Sequence, residues 1–265
     1  MKIGFIGAGK MAEAIIAALI NSKLFVPHQI FAGDVSSERR KLLKRRYGIN
    51  TYSNNNAIPG MAEIIFLSVK PQQLVDVLNE ISGGVNKRHL VISIAAGKKI
   101  SFIQSLFSTA RIARVMPNLA CLVSEAMSVF CVGKTATVSD KKTVTRILSC
   151  FGKVAELPES RFDTVTALSG SGPAFFTYFL ESMVNAGTKE GLSRKDALAL
   201  AVQTMLGTSK LLMEKKIDPE ELIMSVTSEK GTTAAGLEVM ENSELSKIVC
   251  KTIKAAAKRS KELSA

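Results

Sequence analysis

MKIGFIGAGKMA, residues 1–12, is the stretch that sets the fold. Ile3, Phe5 and Ile6 are apolar and fit a strand buried on both faces of a parallel sheet. Gly7 and Gly9 follow at once, then Ala12, and the helical run AEAIIAALIN occupies 12–21. The pattern is G-x-G-x-x-A at a strand-to-helix turn. Its first glycine permits the tight turn, its second lets the backbone approach a pyrophosphate, and the small Ala12 lets the helix pack close to the strand. Backbone N–H groups at the start of that helix face the anion. A dinucleotide bound here is expected to meet Ile6, Gly7, Ala8, Gly9, Lys10 and Met11.

The rest of the composition narrows the class. The chain has 265 residues, 46% hydrophobic and 22% charged, which suits one large or two ordinary globular domains. No apolar run reaches the length of about 18 residues that a membrane span needs. The N-terminus carries one lysine before a strand and glycines, unlike a signal peptide. Cys121, Cys131, Cys150 and Cys250 are far apart with no C-x-x-C, so reduced thiols in the cytoplasm are expected rather than a metal site. With only His28 and His89 present, a histidine triad or zinc centre has little material. The net charge of +12 is scattered over helices, which favours solvated faces and attraction for small anions over a nucleic-acid footprint. Neither a membrane nor a nucleic acid is expected as a partner.

Downstream, strands and helices alternate. Strands are expected at 29–34, 49–52, 63–68, 89–94, 111–115, 126–132 and 153–156, with helices at 36–46, 72–81, 100–107 and 140–150. That alternation implies a parallel, doubly wound α/β sheet with its ligand at the carboxyl edge. Asp34 lies 22 residues after Ala12. The usual spacing for an acidic residue on the ribose 2′-hydroxyl of NAD is about 20. Ser36, Ser37, Arg39 and Arg40 follow it and could instead hold the 2′-phosphate of NADP. A third reading makes Asp34 a residue favoured by the next helix dipole. Ser68, Val69, Lys70 and Pro71 close the strand at 63–68, with Lys70 placed to meet a cofactor phosphate or to be a plain surface lysine. Ala95 and Asn118 close two further strands on the same edge.

After Pro158 the strand signals stop, and helical periodicity covers about 162–187, 193–215, 218–227, 232–239 and 244–263. The boundary is therefore placed between a sheet domain, 1–158, and an all-helical domain, 159–265. Two stretches of the helical half stand out. LSGSGPA, 168–174, interrupts a helical pattern with small residues and a proline. SVTSEKGTT, 225–233, holds five hydroxyls before a helix resumes. Such a turn offers N–H groups and hydroxyls to a carboxylate, or uses Ser228 or Thr232 as a helix cap.

Taken together, GFIGAGKMA (4–12), SVKPQ (68–72), SIAAG (93–97), RVMPN (114–118), LSGSGPAFF (168–176), AGTKEGL (186–192) and VTSEKGTTAAGLEVME (226–241) resemble the pyrroline-5-carboxylate reductases over essentially the full chain. The resemblance implies a Rossmann domain followed by a helical dimerisation domain, and reduction of L-1-pyrroline-5-carboxylate to L-proline by NADPH or NADH. It implies a homodimer, with assembly of dimers into a larger oligomer left open. It assigns the carboxylate to Gly231, Thr232 and Thr233, and the imine nitrogen to the hydroxyl of Thr233 with Ser228 beside it. Three positions depart from the family pattern: Glu229-Lys230-Gly231 stands where Pro-Gly-Gly is usual, Lys10 replaces Asn or Gln, and Ala126 replaces Gly. A small hydroxyacid dehydrogenase shares the two-domain plan, but its helical domain opens on a catalytic lysine, and none occurs here before Lys189. A non-catalytic NADP sensor is the remaining alternative.

Overall fold

The computed structural model describes residues 1–263. Its first half is a doubly wound sheet built from β1 (Ile3–Ile6), α1 (Lys10–Asn21), β2 (Ile30–Gly33), α2 (Ser37–Tyr47), β3 (Asn50–Tyr52), α3 (Ile58–Met61), β4 (Ile64–Leu67), α4 (Leu74–Ile81), β5 (Leu90–Ser93), α5 (Ile100–Leu106), β6 (Arg111–Met116), β7 (Ala126–Val132), α6 (Val138–Leu148) and β8 (Gly152–Glu156). The strand order is β3-β2-β1-β4-β5-β6-β7-β8. It reverses between β1 and β4, the switch point at which open sheets bind ligands.

Alternation along the strands supplies a core on each face. Ile3, Phe5, Ile64, Phe66 and Ile92 pack with Ile15, Ile16 and Leu19 of α1 and with Val144, Ile147 and Leu148 of α6. Ile6, Ile65, Leu67 and Val91 point the other way, into Leu74, Leu78 and Ile81 of α4 and Ile103 of α5. The rings of Phe5 and Phe66, partners in the β1–β4 register, stack with centroids 5.0 Å apart. Both faces are covered, so these strands read as almost unbroken apolar runs.

The sheet is not parallel throughout: β7 runs antiparallel to β6, and β8 then pairs parallel with β7. Only a short 3₁₀ turn, Leu119–Val123, lies between β6 and β7. A parallel partner needs a crossover of a dozen residues or more, usually a helix. Helix α6 supplies such a crossover between β7 and β8.

The helical half comprises α7 (Phe162–Val165), α8 (Gly172–Lys189), α9 (Arg194–Lys215), α10 (Pro219–Ser225), α11 (Thr232–Glu241) and α12 (Leu245–Leu263). The helix expected at 162–187 is broken by a π-helical turn, Thr166–Gly170, where the small residues of LSGSG fall. By contact, the chain forms one unit from Met1 to Ser171, to which it returns from Ala255 onward, and a second unit of Gly172–Lys254. The change of secondary-structure character at 158 thus precedes the division by contact. Within the second unit α8 packs on α9, with Val184 and Ala197 buried between neighbours. No helix among the described residues is long and apolar enough to cross a membrane.

Candidate functional site

Four parallel strands deliver their following loops to one edge. Ile6 pairs with Leu67, Leu67 with Ser93, and Ser93 with Arg114. Gly7, Ser68, Ala95 and, a little farther along, Asn118 therefore leave the sheet on the same side. At the first of these exits Gly7 adopts φ +92°, and its N–H donates to the Gly33 carbonyl at 2.8 Å. A Cβ there would lie 2.8 Å from Val69 Cγ1 and 2.9 Å from the Ser68 backbone. The Ser68 hydroxyl donates to the Gly7 carbonyl at 2.7 Å, fastening the turn to the end of β4.

Gly9 is different. It occupies the N-cap of α1 with no side-chain capping bond, and a Cβ added to it meets nothing within 4 Å. The first-turn N–H groups of a helix have no acceptor inside it, and here no side chain supplies one. The carbonyl of Gly9 already accepts from Glu13 at 2.9 Å, so the helix is formed and its positive end faces open space. An uncapped helix end beside a position kept free of Cβ fits a pyrophosphate. Lys10 is exposed and Met11 half-buried, its sulfur 3.3 Å from the Cys121 thiol.

Asp34 ends β2 as a clip. One carboxylate oxygen accepts from the Ala8 N–H at 2.7 Å and the other from the Ser36 N–H at 2.8 Å. Each oxygen keeps a further lone pair for a ligand hydroxyl. The cap of α2 is not Asp34 but Ser36, whose hydroxyl accepts from the Arg39 N–H at 3.3 Å. The basic residues after it are also engaged. Arg39 donates to the Ala8 carbonyl at 2.8 Å and pairs with Glu13 at 2.7 Å, while Arg40 donates to the Asp34 carbonyl at 2.6 Å. Burial pushes the Glu13 carboxyl up, but Arg39, the Tyr47 hydroxyl and Arg46 outweigh it and hold the group below the ordinary carboxylate value. Lys70 is exposed just ahead of a 3₁₀ turn opened by Pro71. Ala95 is buried after β5.

Asn55 was not singled out in the sequence. It is buried at the carboxyl end of β3, and its amide donates to Glu80 at 2.8 Å. Its Oδ1 has no hydrogen-bond partner among the described residues and lies 2.5 Å from where a Gly33 Cβ would stand, so a side chain at Gly33 would displace the Asn55 amide. Three consecutive asparagines beside a strand end were the available signal.

The hydroxyl-rich stretch forms a separate cluster in the second unit. Gly231 is the N-cap of α11 and no side chain caps the helix. Neither Ser228 nor Thr232 therefore plays the capping part; Thr232 is already the first helical residue. The Gly231 N–H donates to the Ser228 carbonyl at 3.0 Å, and the Ser228 hydroxyl occupies the place a Gly231 Cβ would take. Thr227 and Ser225 turn their hydroxyls back to Ile223 and Leu222 at 2.6 and 2.7 Å. Ser228 and Thr232 are exposed and Thr233 half-buried around the uncapped helix start. Lys230 has φ +58°, left-handed backbone at a position where the resembling family has glycine.

Acid–base groups of the usual kind are scarce. His89 is buried against the Pro59 carbonyl at 2.9 Å, and burial lowers its pKa. Burial pushes the Cys131 thiol up to about 12 and raises that of Cys121 as well. No cluster among the described residues could hold a metal ion. What both clusters offer is N–H donors, hydroxyls and small residues.

Comparison with known proteins fits this arrangement. Residues 159–263 match the family model for pyrroline-5-carboxylate reductase dimerisation, and residues 2–97 match that for NADP oxidoreductase, coenzyme F420-dependent. The chain is 42% identical to a pyrroline-5-carboxylate reductase of Methanosarcina acetivorans, over 99% of this chain and 97% of that one. A solved pyrroline carboxylate reductase of Plasmodium falciparum with NADP bound superposes with a TM-score of 0.90 at 32% identity, covering 100% of this chain and 98% of that one. One from Coxiella burnetii gives 0.94 at 31% identity, with the same coverage.

Three substitutions separate loop geometry from ligand access in thermal unfolding. Gly7→Ala is expected to lose more than about 1 kcal/mol, from positive φ and the Ser68 contact. Gly9→Ala is expected to lose less than about 0.5 kcal/mol, as a change in open space. Lys230→Gly is expected to gain up to about 1 kcal/mol by relieving left-handed backbone. Equal losses at Gly7 and Gly9, or destabilisation by Lys230→Gly, would contradict this account of the two turns.

Proposed function

The chain belongs to the pyrroline-5-carboxylate reductase family, and from that premise we propose that it reduces L-1-pyrroline-5-carboxylate to L-proline, completing proline biosynthesis, with NADPH as donor and NADH as a second candidate. The observation that carries this reading is a pair of uncapped helix starts, α1 behind Gly9 and α11 behind Gly231. One suits a pyrophosphate and the other a carboxylate, the two anionic groups that the reaction brings in.

Within Ile6 to Met11, Gly9, Lys10 and Met11 hold the pyrophosphate through the N–H groups of the open helix start, while the Gly7 and Ala8 N–H groups, spent on the Gly33 carbonyl and the Asp34 carboxylate, shape the turn around it. Asp34 offers its remaining lone pairs to a ribose hydroxyl, the 3′-hydroxyl in NADPH and either the 2′- or 3′-hydroxyl in NADH, Lys70 its ammonium to phosphate, and Ser68, Val69, Pro71, Ala95 and Asn118 line the same edge. The nicotinamide, when bound, supplies a hydride. The protein's own part is to hold the imine. Gly231, Thr232 and Thr233 cradle the carboxylate, while the Thr233 hydroxyl, with Ser228 beside it, hydrogen-bonds the ring nitrogen or a water that protonates it. Such hydroxyls act without ionising, which suits a site with no titrating histidine or thiolate. Near-attack placement at about 3–3.5 Å is then the main source of rate.

The protein works as a homodimer through its helical half. Phe176 (62%), Tyr178 (80%), Met224 (69%) and Val239 (71%) are large apolar residues left exposed on a single chain. An array of this kind marks an interaction surface. Assembly of dimers into a higher homo-oligomer is compatible with it. Free thiols at Cys121, Cys131, Cys150 and Cys250 support a reducing, cytoplasmic setting.

On the purified protein, fresh pyrroline-5-carboxylate is expected to drive NADPH oxidation with formation of proline, at a particle mass of at least two chains by light scattering. NADPH binding without oxidation would leave a dinucleotide sensor, and a monomer at micromolar concentration would remove the dimer. Thr233→Ala is expected to keep its melting temperature and lose about ten- to a hundredfold in turnover, at about 1.4 kcal/mol per decade. A less stable variant with normal turnover would make Thr233 a support of α11 instead.

A further inference from the structure

The π-helical turn Thr166–Gly170 has no part in the reading so far. Such turns are uncommon and recur at functional sites. This one closes with the Ser171 N–H donating to the Thr166 carbonyl at 2.8 Å, and it presses on the end of β6, since a Cβ on Gly170 would lie 2.5 Å from Met116 Cε. Two residues beyond Met116, Asn118 leaves the sheet edge.

Hydrogen-bond chemistry sets the orientation of the Asn118 amide. The Ala120 N–H can only donate, so the atom 3.3 Å from it is the Asn118 Oδ1. Nδ2 then faces the Ser169 hydroxyl, also at 3.3 Å, and donates to it. Having accepted that bond, Ser169 gives its own proton to the Met127 carbonyl at 3.3 Å. One chain of donors thus runs from the β6 exit through the π turn into β7. The Asn118 amide has a second N–H, for which no acceptor exists among the described residues.

Strand order says which half of a dinucleotide lies near it. In such folds the acidic residue ending β2 takes the ribose of the adenosine half, and the pyrophosphate sits at the β1–α1 turn. The nicotinamide half then extends to the other side of β1, over β4, β5 and β6.

We propose that Ser169 is a positioning residue. It fixes the Asn118 amide so that the unpaired N–H is offered to the carboxamide oxygen of the nicotinamide ring. The proposal rests on the cofactor reading above and adds a residue that touches neither cofactor nor substrate.

Calorimetric titration of the full chain with NADP⁺ and with 2′-phospho-ADP-ribose, which lacks only the nicotinamide, tests it. Ser169→Ala is expected to weaken NADP⁺ binding about tenfold, the value of one hydrogen bond, and to leave the truncated ligand within twofold. Ser169→Thr, which keeps the hydroxyl, should restore NADP⁺ affinity. Asn118→Ala, which leaves the π turn intact, should reproduce the same split between ligands, and adding Ser169→Ala to it should change nothing further. If both ligands weaken together in Ser169→Ala, or Asn118→Ala binds NADP⁺ as the wild type does, the proposal is overturned while the cofactor reading stands. A wild-type chain that binds neither ligand overturns both.

Discussion

The close approach of the β1–α1 turn to the end of β4 is the constraint on which the rest of the molecule depends. No side chain fits at Gly7, because the Ser68 backbone and Val69 already fill the place of its Cβ. That approach brings the Ser68 hydroxyl onto the Gly7 carbonyl. It also aims α1 so that its open end meets the carboxyl edge. Asp34 then ties Ala8 to the start of the β2–α2 turn. Arg39 ties the same alanine to Glu13 on α1. The turn is held from three sides, with the Gly7 and Ala8 N–H groups used in the brace and the N–H groups at the start of α1 left outward.

The Glu13 pairings give this brace a pH sense. A carboxyl whose folded pKa is depressed contributes stability above its unfolded pKa and loses it as pH falls through the folded value. Glu13 is held low in the folded chain. The brace between α1 and α2 is therefore fully present at neutral pH and is lost progressively as pH falls from the ordinary carboxylate value through the lower folded one.

Much of this was legible in the sequence, and the omissions have physical causes. Apolar runs ending in glycine marked β1 and its turn, because a strand buried on both faces has no polar alternation to obscure it. The direction of β7 was not legible, since apolar content fixes burial but not polarity; the short link after β6 decided it. Asn55 was hidden because a buried amide and a loop amide look alike until the Glu80 carboxylate is brought to it from α4. The π turn showed only as small residues in a helical pattern, which mark an interruption but not its kind. In the hydroxyl-rich loop, spacing alone left Ser228 and Thr232 as caps, and it took the backbone to put Gly231 in that position. Lys230 holds a left-handed backbone where the resembling family has glycine, which costs a lysine on the order of 1–2 kcal/mol but is not forbidden.

The central claim is that the open end of α1, kept free of side chain at Gly9, receives the pyrophosphate of the cofactor. Titration of wild type and Gly9→Val with NADPH by calorimetry tests it most directly. The account predicts one NADPH per chain for the wild type. For Gly9→Val it predicts an affinity lower by about a hundredfold or more, with the melting temperature unchanged, because the Cβ position is empty in the protein itself. Equal affinity in the two proteins would contradict it and move the cofactor away from the glycine turn.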